Sequence, residues 1–155
     1  MKCSILSMML WVFMIGSATS CNKSDAIVNT ENNGENNMEN GKIKIRVNAQ
    51  VFTATLAGNT AAKEFKEMLP LTITMVELNG NEKYYDLSKN LPAKASNPGT
   101  IQNGDLMLYG SRTLVLFYKT FSTSYNYTKL GRIDDTQALA AALGTGNVTL
   151  TFAKE

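Results

Sequence analysis

The residues best suited to chemistry form an aromatic and hydroxyl-rich group in the last third of the chain. In chain order, its members are Tyr109, Tyr118, Phe121, Ser122, Thr123, Tyr125 and Tyr127. Tyrosine combines apolar area with a hydroxyl, which suits a groove that binds a peptide or a small molecule. The same rings could instead pack in the core and at the rim of a barrel, and the sequence leaves this alternative open.

Arg132 is a charged candidate that could join this group. It follows Gly131 in a predicted strand, and a guanidinium there could donate hydrogen bonds to a carboxylate or carbonyl of a ligand. The alternative is a structural ion pair with Asp105, Asp134 or Asp135. Neither interpretation is excluded by the sequence.

Composition excludes several classes of catalyst and cofactor site. The 155 residues include no histidine, so Ser–His and Cys–His nucleophile systems and histidine metal ligands are absent. Both cysteines, Cys3 and Cys21, lie near the N-terminus, which leaves no zinc ribbon, iron–sulfur cluster or disulfide for the rest of the chain. There is also no glycine-rich phosphate loop in the sequence. We therefore expect no cofactor and no metal, and we favour a protein without catalytic residues over an enzyme.

The charged residues give little further indication of chemistry. Glu82 and Asp86 follow a tight-turn signal at Asn79, and paired carboxylates can do acid–base work, although an exposed charged turn is the more common explanation. Residues 42–155 carry thirteen basic and nine acidic side chains, a net charge of +4, with the basic residues scattered along the chain. We therefore expect no nucleic-acid partner, and we expect a monomer.

Residues 1–20 have the features of a signal peptide. Lys2 supplies a positive start, residues 5–15 are almost wholly apolar but too short to span a bilayer, and residues 17–20 are small. Cys21 follows directly. This arrangement resembles a bacterial lipoprotein signal, which implies that Cys21 becomes the lipidated first residue of the mature protein. The alternative is an ordinary secretory signal followed by an incidental cysteine.

Residues 21–41 are predicted to be a disordered tether. They include seven asparagines and few apolar side chains, so they cannot bury enough surface to offset the entropy of the chain. With a lipid at Cys21, the tether would hold residues 42–155 off the membrane surface. The expected location is the bacterial cell envelope, facing either the periplasm or the cell surface.

Alternating apolar positions and turn signals predict eight short strands and two short helices in residues 42–155. The predicted strands are 42–47, 51–56, 71–78, 83–87, 106–109, 114–118, 127–133 and 147–152. The predicted helices are 61–68, capped by Asn59 or Thr60, and 136–143, capped by Asp134 or Asp135. Residues 88–103 and 119–126 are predicted to be irregular. Eight strands suit a small closed barrel, so the predicted fold is mainly β, a mostly antiparallel eight-stranded barrel with one helix over each open end.

Several short motifs in residues 42–155 resemble the bacterial cyclophilin-like domain family, here in a lipoprotein form. The matching segments are 69–71 (Leu-Pro-Leu), 79–84 (Asn-Gly-Asn-Glu-Lys-Tyr), 98–101 (Pro-Gly-Thr-Ile), 104–110 (Gly-Asp-Leu-Met-Leu-Tyr-Gly), 117–119, 122–125 and 131–134. The resemblance implies a cyclophilin-like barrel with two capping helices, similar to true cyclophilins in shape.

The resemblance does not extend to the motifs of true prolyl isomerases. Those enzymes use an arginine in a Phe-His-Arg motif and a glutamine in a Gln-Gly-Gly-Asp motif. Residues 102–105 (Gln-Asn-Gly-Asp) partly match the second motif, and the first has no counterpart. We therefore expect a lipid-anchored, non-catalytic module that binds a peptide or small molecule. The alternatives are a divergent peptidyl-prolyl cis–trans isomerase, with Arg132 polarising the prolyl carbonyl, and a structural domain that docks a partner in the envelope.

Overall fold

Strands β1 (Lys42–Val47) and β2 (Gln50–Leu56) form the first hairpin of the computed structural model, which describes residues 41–155. Alternate residues of β1 are fully buried, as expected for a strand with one face on a core. Asn48 occupies the turn with a φ of 53°, a left-handed conformation that asparagine tolerates better than most residues. The predicted signal peptide, Cys21 and almost all of the predicted tether lie outside the described residues.

The elements after β2 are α1 (Thr60–Glu67), β3 (Leu71–Leu78), β4 (Glu82–Asp86), β5 (Thr100–Ile101), β6 (Asp105–Tyr109), β7 (Thr113–Phe117), β8 (Phe121–Ser122), β9 (Thr128–Ile133), α2 (Leu139–Leu143) and β10 (Val148–Lys154). Eight of the strands close into one antiparallel barrel in the order β1–β10–β3–β4–β7–β6–β9–β2, with β2 pairing back to β1. This confirms the predicted mainly β, closed eight-stranded fold, and the predicted bounds of these strands agree with the structure within two residues.

The two helices lie at opposite ends of the barrel. Helix α1 joins the end of β2 to the start of β3, whereas α2 joins the end of β9 to the start of β10. The Asn59 side chain caps α1 by accepting a hydrogen bond from the Ala62 amide at 2.9 Å. The Phe65 ring of α1 packs edge-on against Phe152, with 5.7 Å between ring centroids. Burial of α1 against the barrel core therefore fixes it in place.

Helix α2 is shorter than predicted, because it begins at Leu139 instead of residue 136. Its N-terminus receives no side-chain cap from the part of the chain that the structure describes. The two predicted caps have other partners. The Asp134 carboxylate accepts hydrogen bonds from the Thr55 hydroxyl at 2.6 Å and the Lys42 ammonium at 3.1 Å. Asp135 accepts from the Gln137 amide at 2.9 Å within a local turn. These carboxylates thus stabilise the connection before the helix, and the helix starts one turn later.

Strands β6 and β7 are buried on both faces. Their inward residues, such as Leu108 and Leu116, belong to the barrel core. Their outward residues belong to a second, smaller core outside the barrel, composed of Ile101, Met107, Val115, Phe117 and Tyr127. Two apolar faces explain why both strands are almost continuously apolar in sequence.

The second core is covered by two segments that were predicted to be irregular. Residues 88–103 contain β5 and residues 119–126 contain β8, and these strands pair antiparallel with each other. An additional bridge joins Ser96 to Tyr127. The prediction missed these strands because two residues are too few to show an alternating pattern. Across residues 41–155, none of the helices is long and apolar enough to cross a membrane.

Candidate functional site

A groove of about 340 Å³ lies on the outer face of the barrel, next to the second core. Its volume is within the range of sites that hold small ligands. Strands β3, β4, β6 and β7 and the segment after β8 supply its lining, which consists of Leu78, Asn79, Glu82, Tyr84, Tyr109, Thr113, Val115, Tyr125 and Tyr127. Four of these nine side chains are tyrosines.

The alternation of side chains along three neighbouring strands directs the lining residues outward. Glu82 and Tyr84 are two residues apart on β4, and Thr113 and Val115 are two apart on β7, so each pair shares a face. The register aligns Tyr84 with Val115. Tyr109, at the end of β6, is the partner of Thr113. Strand pairing alone therefore brings these five side chains onto one surface.

A tight turn sets the edge of the groove. Asn79 and Gly80 both have positive φ angles, 56° and 66°, as in the tight turns whose backbone suits the twist of a hairpin. The Gly80 amide also donates a hydrogen bond to Glu77 at 2.8 Å. This turn makes Leu78 and Glu82 cross-strand partners, so an apolar and an acidic side chain stand together at the edge.

The aromatic rings of the groove contact one another at large angles. The Tyr109 ring lies 6.2 Å from Tyr125 at 87° and 5.7 Å from Tyr127 at 53°, and Tyr127 also contacts Phe117 at 5.5 Å and 90°. Tyr127 is nearly buried, whereas Tyr109 is 48% exposed and Tyr125 is 61% exposed. The rings therefore form a wall that is anchored in the second core and open to solvent at its outer edge.

The chain before Tyr125 is held by hydrogen bonds to the segment that precedes β5. The Thr123 amide donates to the Gly99 carbonyl at 2.9 Å, and the Asn97 side chain donates to the Thr123 carbonyl at 3.3 Å. The Thr123 hydroxyl accepts from the Tyr125 amide at 3.1 Å. Tyr125 is thus an exposed ring on a backbone that is fixed on both sides.

Glu82 is the charged residue of the lining. Burial raises the pKa of its carboxyl group above the ordinary value, and the negative charge of Glu77 raises it further. Neither a hydrogen bond nor a cation from the described residues opposes this rise. Burial also raises the pKa of the Tyr127 hydroxyl, and the charge of Glu82 adds to that effect. A half-buried carboxylate that has no partner among residues 41–155 is available to a ligand.

Some of the candidate residues from the sequence meet in this groove. Tyr109, Tyr125 and Tyr127 line it. Phe121 packs against Phe117 at 5.7 Å and supports the second core. The exposed Ser122 pairs with Thr100 in the small sheet, and Thr123 fixes the backbone at Tyr125. The last three residues therefore support the tyrosine wall without lining the groove.

Tyr118 lies on the inner face of the sheet, separate from the groove. Its hydroxyl donates to the Glu77 carboxylate, with its oxygen 2.8 and 2.9 Å from the two carboxylate oxygens. Glu77 also binds the ammonium of Lys83, which is fully buried and donates to the carbonyls of Gly144 at 2.8 Å and Gly146 at 2.6 Å. This network joins the β3–β4 hairpin to the loop after α2.

The network changes the pKa values of its members. Burial acts to raise the pKa of the Glu77 carboxyl group, but hydrogen bonds from Lys83 and Tyr118 and the charge of Lys83 outweigh it, so this pKa is below its ordinary value. Burial and the hydrogen bond to Glu77 raise the pKa of Tyr118 to about 12. Glu77 is therefore held as a carboxylate and Tyr118 as a neutral hydroxyl, which indicates a structural role.

Arg132 also lies away from the groove. In the register of β9 with β6, the backbone of Arg132 lies opposite that of Asp105, at the start of β6. Tyr109 is at the other end of β6, about 13 Å away at the usual rise per residue. The Arg132 guanidinium donates to the Asn103 carbonyl at 3.4 Å. Of its predicted ion-pair partners, Asp134 instead pairs with Lys42 at 3.1 Å. The fold therefore does not bring Arg132 to the tyrosine wall.

Glu82 and Tyr84 were not among the site residues chosen from the sequence. They precede Tyr125 by about forty residues in the chain, and only the pairing of β4 with β7 brings them to the groove. One signal was available. The continuous apolar run at residues 114–118 is typical of a strand with two buried faces, which would have indicated a second layer outside the barrel.

Comparisons with known proteins identify the family and the fold of this chain. The search of curated proteins gave no match. A hypothetical protein of Archaeoglobus fulgidus, known from a solution structure, is similar over 79% of this chain and 99% of its own, with a TM-score of 0.58 and 15% sequence identity, which shows a shared fold. The profile described as the cyclophilin-like family matches residues 45–153, as the motifs predicted. The chain therefore belongs to the cyclophilin-like family.

Proposed function

We propose that this protein is a lipid-anchored receptor of the bacterial cell envelope whose tyrosine-lined groove binds a small ligand without catalysis. The observation that carries the proposal is the groove itself, in which four tyrosines and the Glu82 carboxylate converge on the outer face of the barrel. Such a combination of apolar walls and a few polar groups is typical of ligand sites.

Rigidity supports this role. The groove is built on β4, β6 and β7, which are fixed on one side by the barrel core and on the other by the second core. A site that is formed before the ligand arrives loses little conformational entropy on binding. The exposed rings of Tyr109 and Tyr125 then provide contact area that other tyrosines hold in position.

A fragment screen followed by nuclear magnetic resonance tests the groove. Bound fragments should shift the resonances of Tyr84, Tyr109 and Tyr125, and alanine at Tyr109 or Tyr125 should weaken binding at least tenfold. Because these two rings are exposed, the melting temperature should stay within a few degrees of the parent value. Arg132→Ala is the matched control and should leave binding unchanged. If the bound fragments cluster elsewhere, or only destabilised variants lose binding, the groove is not the ligand site.

The lipid anchor is tested separately, because it concerns Cys21 and not the barrel. Cys21→Ser should move the protein from the membrane fraction to the soluble fraction and prevent incorporation of labelled fatty acid. Cys3→Ser, within the predicted signal, is the matched control and should stay membrane-bound and labelled. Retention of the label in Cys21→Ser would overturn the anchor.

The isomerase alternative required Arg132 beside the aromatic groove. That residue is at the opposite end of β6 from Tyr109. The structure therefore supplies no observation that favours isomerisation over binding.

A further inference from the structure

We propose that the ligand of this groove is a small quaternary alkylammonium compound, whose cation lies against the tyrosine rings beside the Glu82 carboxylate. The inference rests on the proposed function, since it assigns a chemical class to the ligand of the same groove.

The first support is the arrangement of the rings. A cation is attracted to the face of an aromatic ring, and aromatic walls of this kind recognise quaternary ammonium groups. Tyr109 meets Tyr125 at 87° and Tyr127 at 53°, so the rings form a corner instead of a parallel stack. Tyr84 lines the same groove from β4. A corner of several rings can contact a round cation from more than one side.

The second support is the charge. The groove lining contains Glu82 and neither lysine nor arginine. Residues 42–155 have a net charge of +4, so a negative site is unlike the domain as a whole. Among the described residues, Glu82 gains no stabilisation from a protein cation. A cationic ligand would supply the missing partner.

The third support distinguishes a quaternary from a primary ammonium. Lys83 shows what this fold provides for a buried primary ammonium, namely the Glu77 carboxylate and the Gly144 and Gly146 carbonyls. Besides the Glu82 carboxylate, the groove offers the Asn79 and Thr113 side chains, and four tyrosine rings supply much of its surface. A primary ammonium is strongly hydrated and would lose water without enough acceptors in return. A quaternary ammonium has no N–H donors to satisfy.

A comparison of matched compounds tests the inference. Choline, its neutral isostere 3,3-dimethyl-1-butanol and ethanolamine are titrated into the full chain, labelled for nuclear magnetic resonance and held in maltoside detergent, whose headgroup carries no ammonium. Choline should shift the resonances of Tyr84, Glu82 and Tyr125 and bind about tenfold more tightly than the isostere. Ethanolamine should bind more weakly than choline.

Variants separate the contributions of charge and ring. Glu82→Gln should reduce choline affinity about tenfold and leave the neutral isostere unchanged, whereas Glu64→Gln, an exposed carboxylate on α1, should change neither. Tyr125→Leu retains apolar area but removes the π face, so it should weaken choline several-fold more than the isostere, while Tyr125→Phe should retain most of the affinity.

The outcomes separate this inference from the proposed function. Equal affinity for choline and the isostere at the groove would overturn the cation preference and leave the groove as a ligand site. Tighter binding of ethanolamine than choline would overturn the quaternary preference. If choline causes no shift in the groove, the inference fails, and the fragment screen decides separately whether the groove binds any ligand.

Discussion

Replacing Glu77 by alanine removes the carboxylate that neutralises a fully buried lysine. The Lys83 side chain has 0% exposure, and its ammonium would keep only the carbonyls of Gly144 and Gly146 as acceptors. Breaking a buried ion pair by removing one partner typically costs about 3–5 kcal/mol of stability. We expect about 3 kcal/mol here, because the Glu77 side chain is 18% exposed and water can enter its place. This is a large fraction of the roughly 5–15 kcal/mol that is the free energy of unfolding of a typical domain.

Urea denaturation of the parent protein, Glu77→Ala and a surface control measures this cost. Glu67→Ala is the control, because Glu67 is 63% exposed and pairs with Lys154 at 3.2 Å, so its loss should cost less than about 1 kcal/mol. Adding Lys83→Met to Glu77→Ala should recover part of the lost stability, since it removes the unpaired charge. Equal costs for Glu77→Ala and Glu67→Ala, or no recovery in the double variant, would refute the reasoning.

Three further predictions concern packing, pH and activity. Gly131→Ala should lower the free energy of unfolding in urea by about 1–3 kcal/mol, because a Cβ there would lie 2.6 Å from the Thr55 carbonyl oxygen. The control Gly146→Ala, with nothing from residues 41–155 within 4 Å of the added Cβ, should cost under about 0.5 kcal/mol. Equal costs would contradict the close packing of β2 on β9. The pKa of Tyr118 is raised to about 12 from about 10 in the unfolded chain, so its contribution to stability is complete below pH 10 and is lost as the pH rises to 12. Tyr118→Phe should reduce the loss of stability between pH 10 and pH 12, and the same pH dependence of stability in this variant and the parent protein would contradict the prediction. In a proline-peptide assay we expect isomerisation at the uncatalysed rate; acceleration that Tyr109→Ala or Tyr125→Ala abolishes would overturn the non-catalytic proposal.

Much of the barrel could be predicted because its strands follow simple physical patterns. In β1, alternate residues are buried at Ile43, Ile45 and Val47, so the sequence itself displays which face meets the core. The Asn79–Gly80 turn is equally readable, since both residues tolerate the positive φ angles that the hairpin needs. Patterns of this kind depend on local sequence and on one buried face.

The features that were missed depend on contacts between distant segments. Asp134 has the residue type of a helix cap, but the Thr55 hydroxyl and the Lys42 ammonium compete for its carboxylate. Strands β5 and β8 pair with each other over the second core. Each strand has two residues, which is too short to show an alternating apolar pattern in the sequence. Three of the four tyrosines that line the groove, Tyr109, Tyr125 and Tyr127, were chosen from the sequence. Glu82 was not, because its role depends on the register between β4 and β7.

Glu82 and Lys83 are consecutive residues of β4 that face opposite sides of the sheet, one in the groove and one inside the fold. A shift of β4 by one position would exchange them, placing an ammonium among the tyrosines and a carboxylate in the interior. Such a slipped arrangement would lose the acceptors of Lys83 and bury an unpaired acid, so it is strongly disfavoured. The alignment that closes the barrel therefore also determines the sign of the charge that the groove presents to solvent.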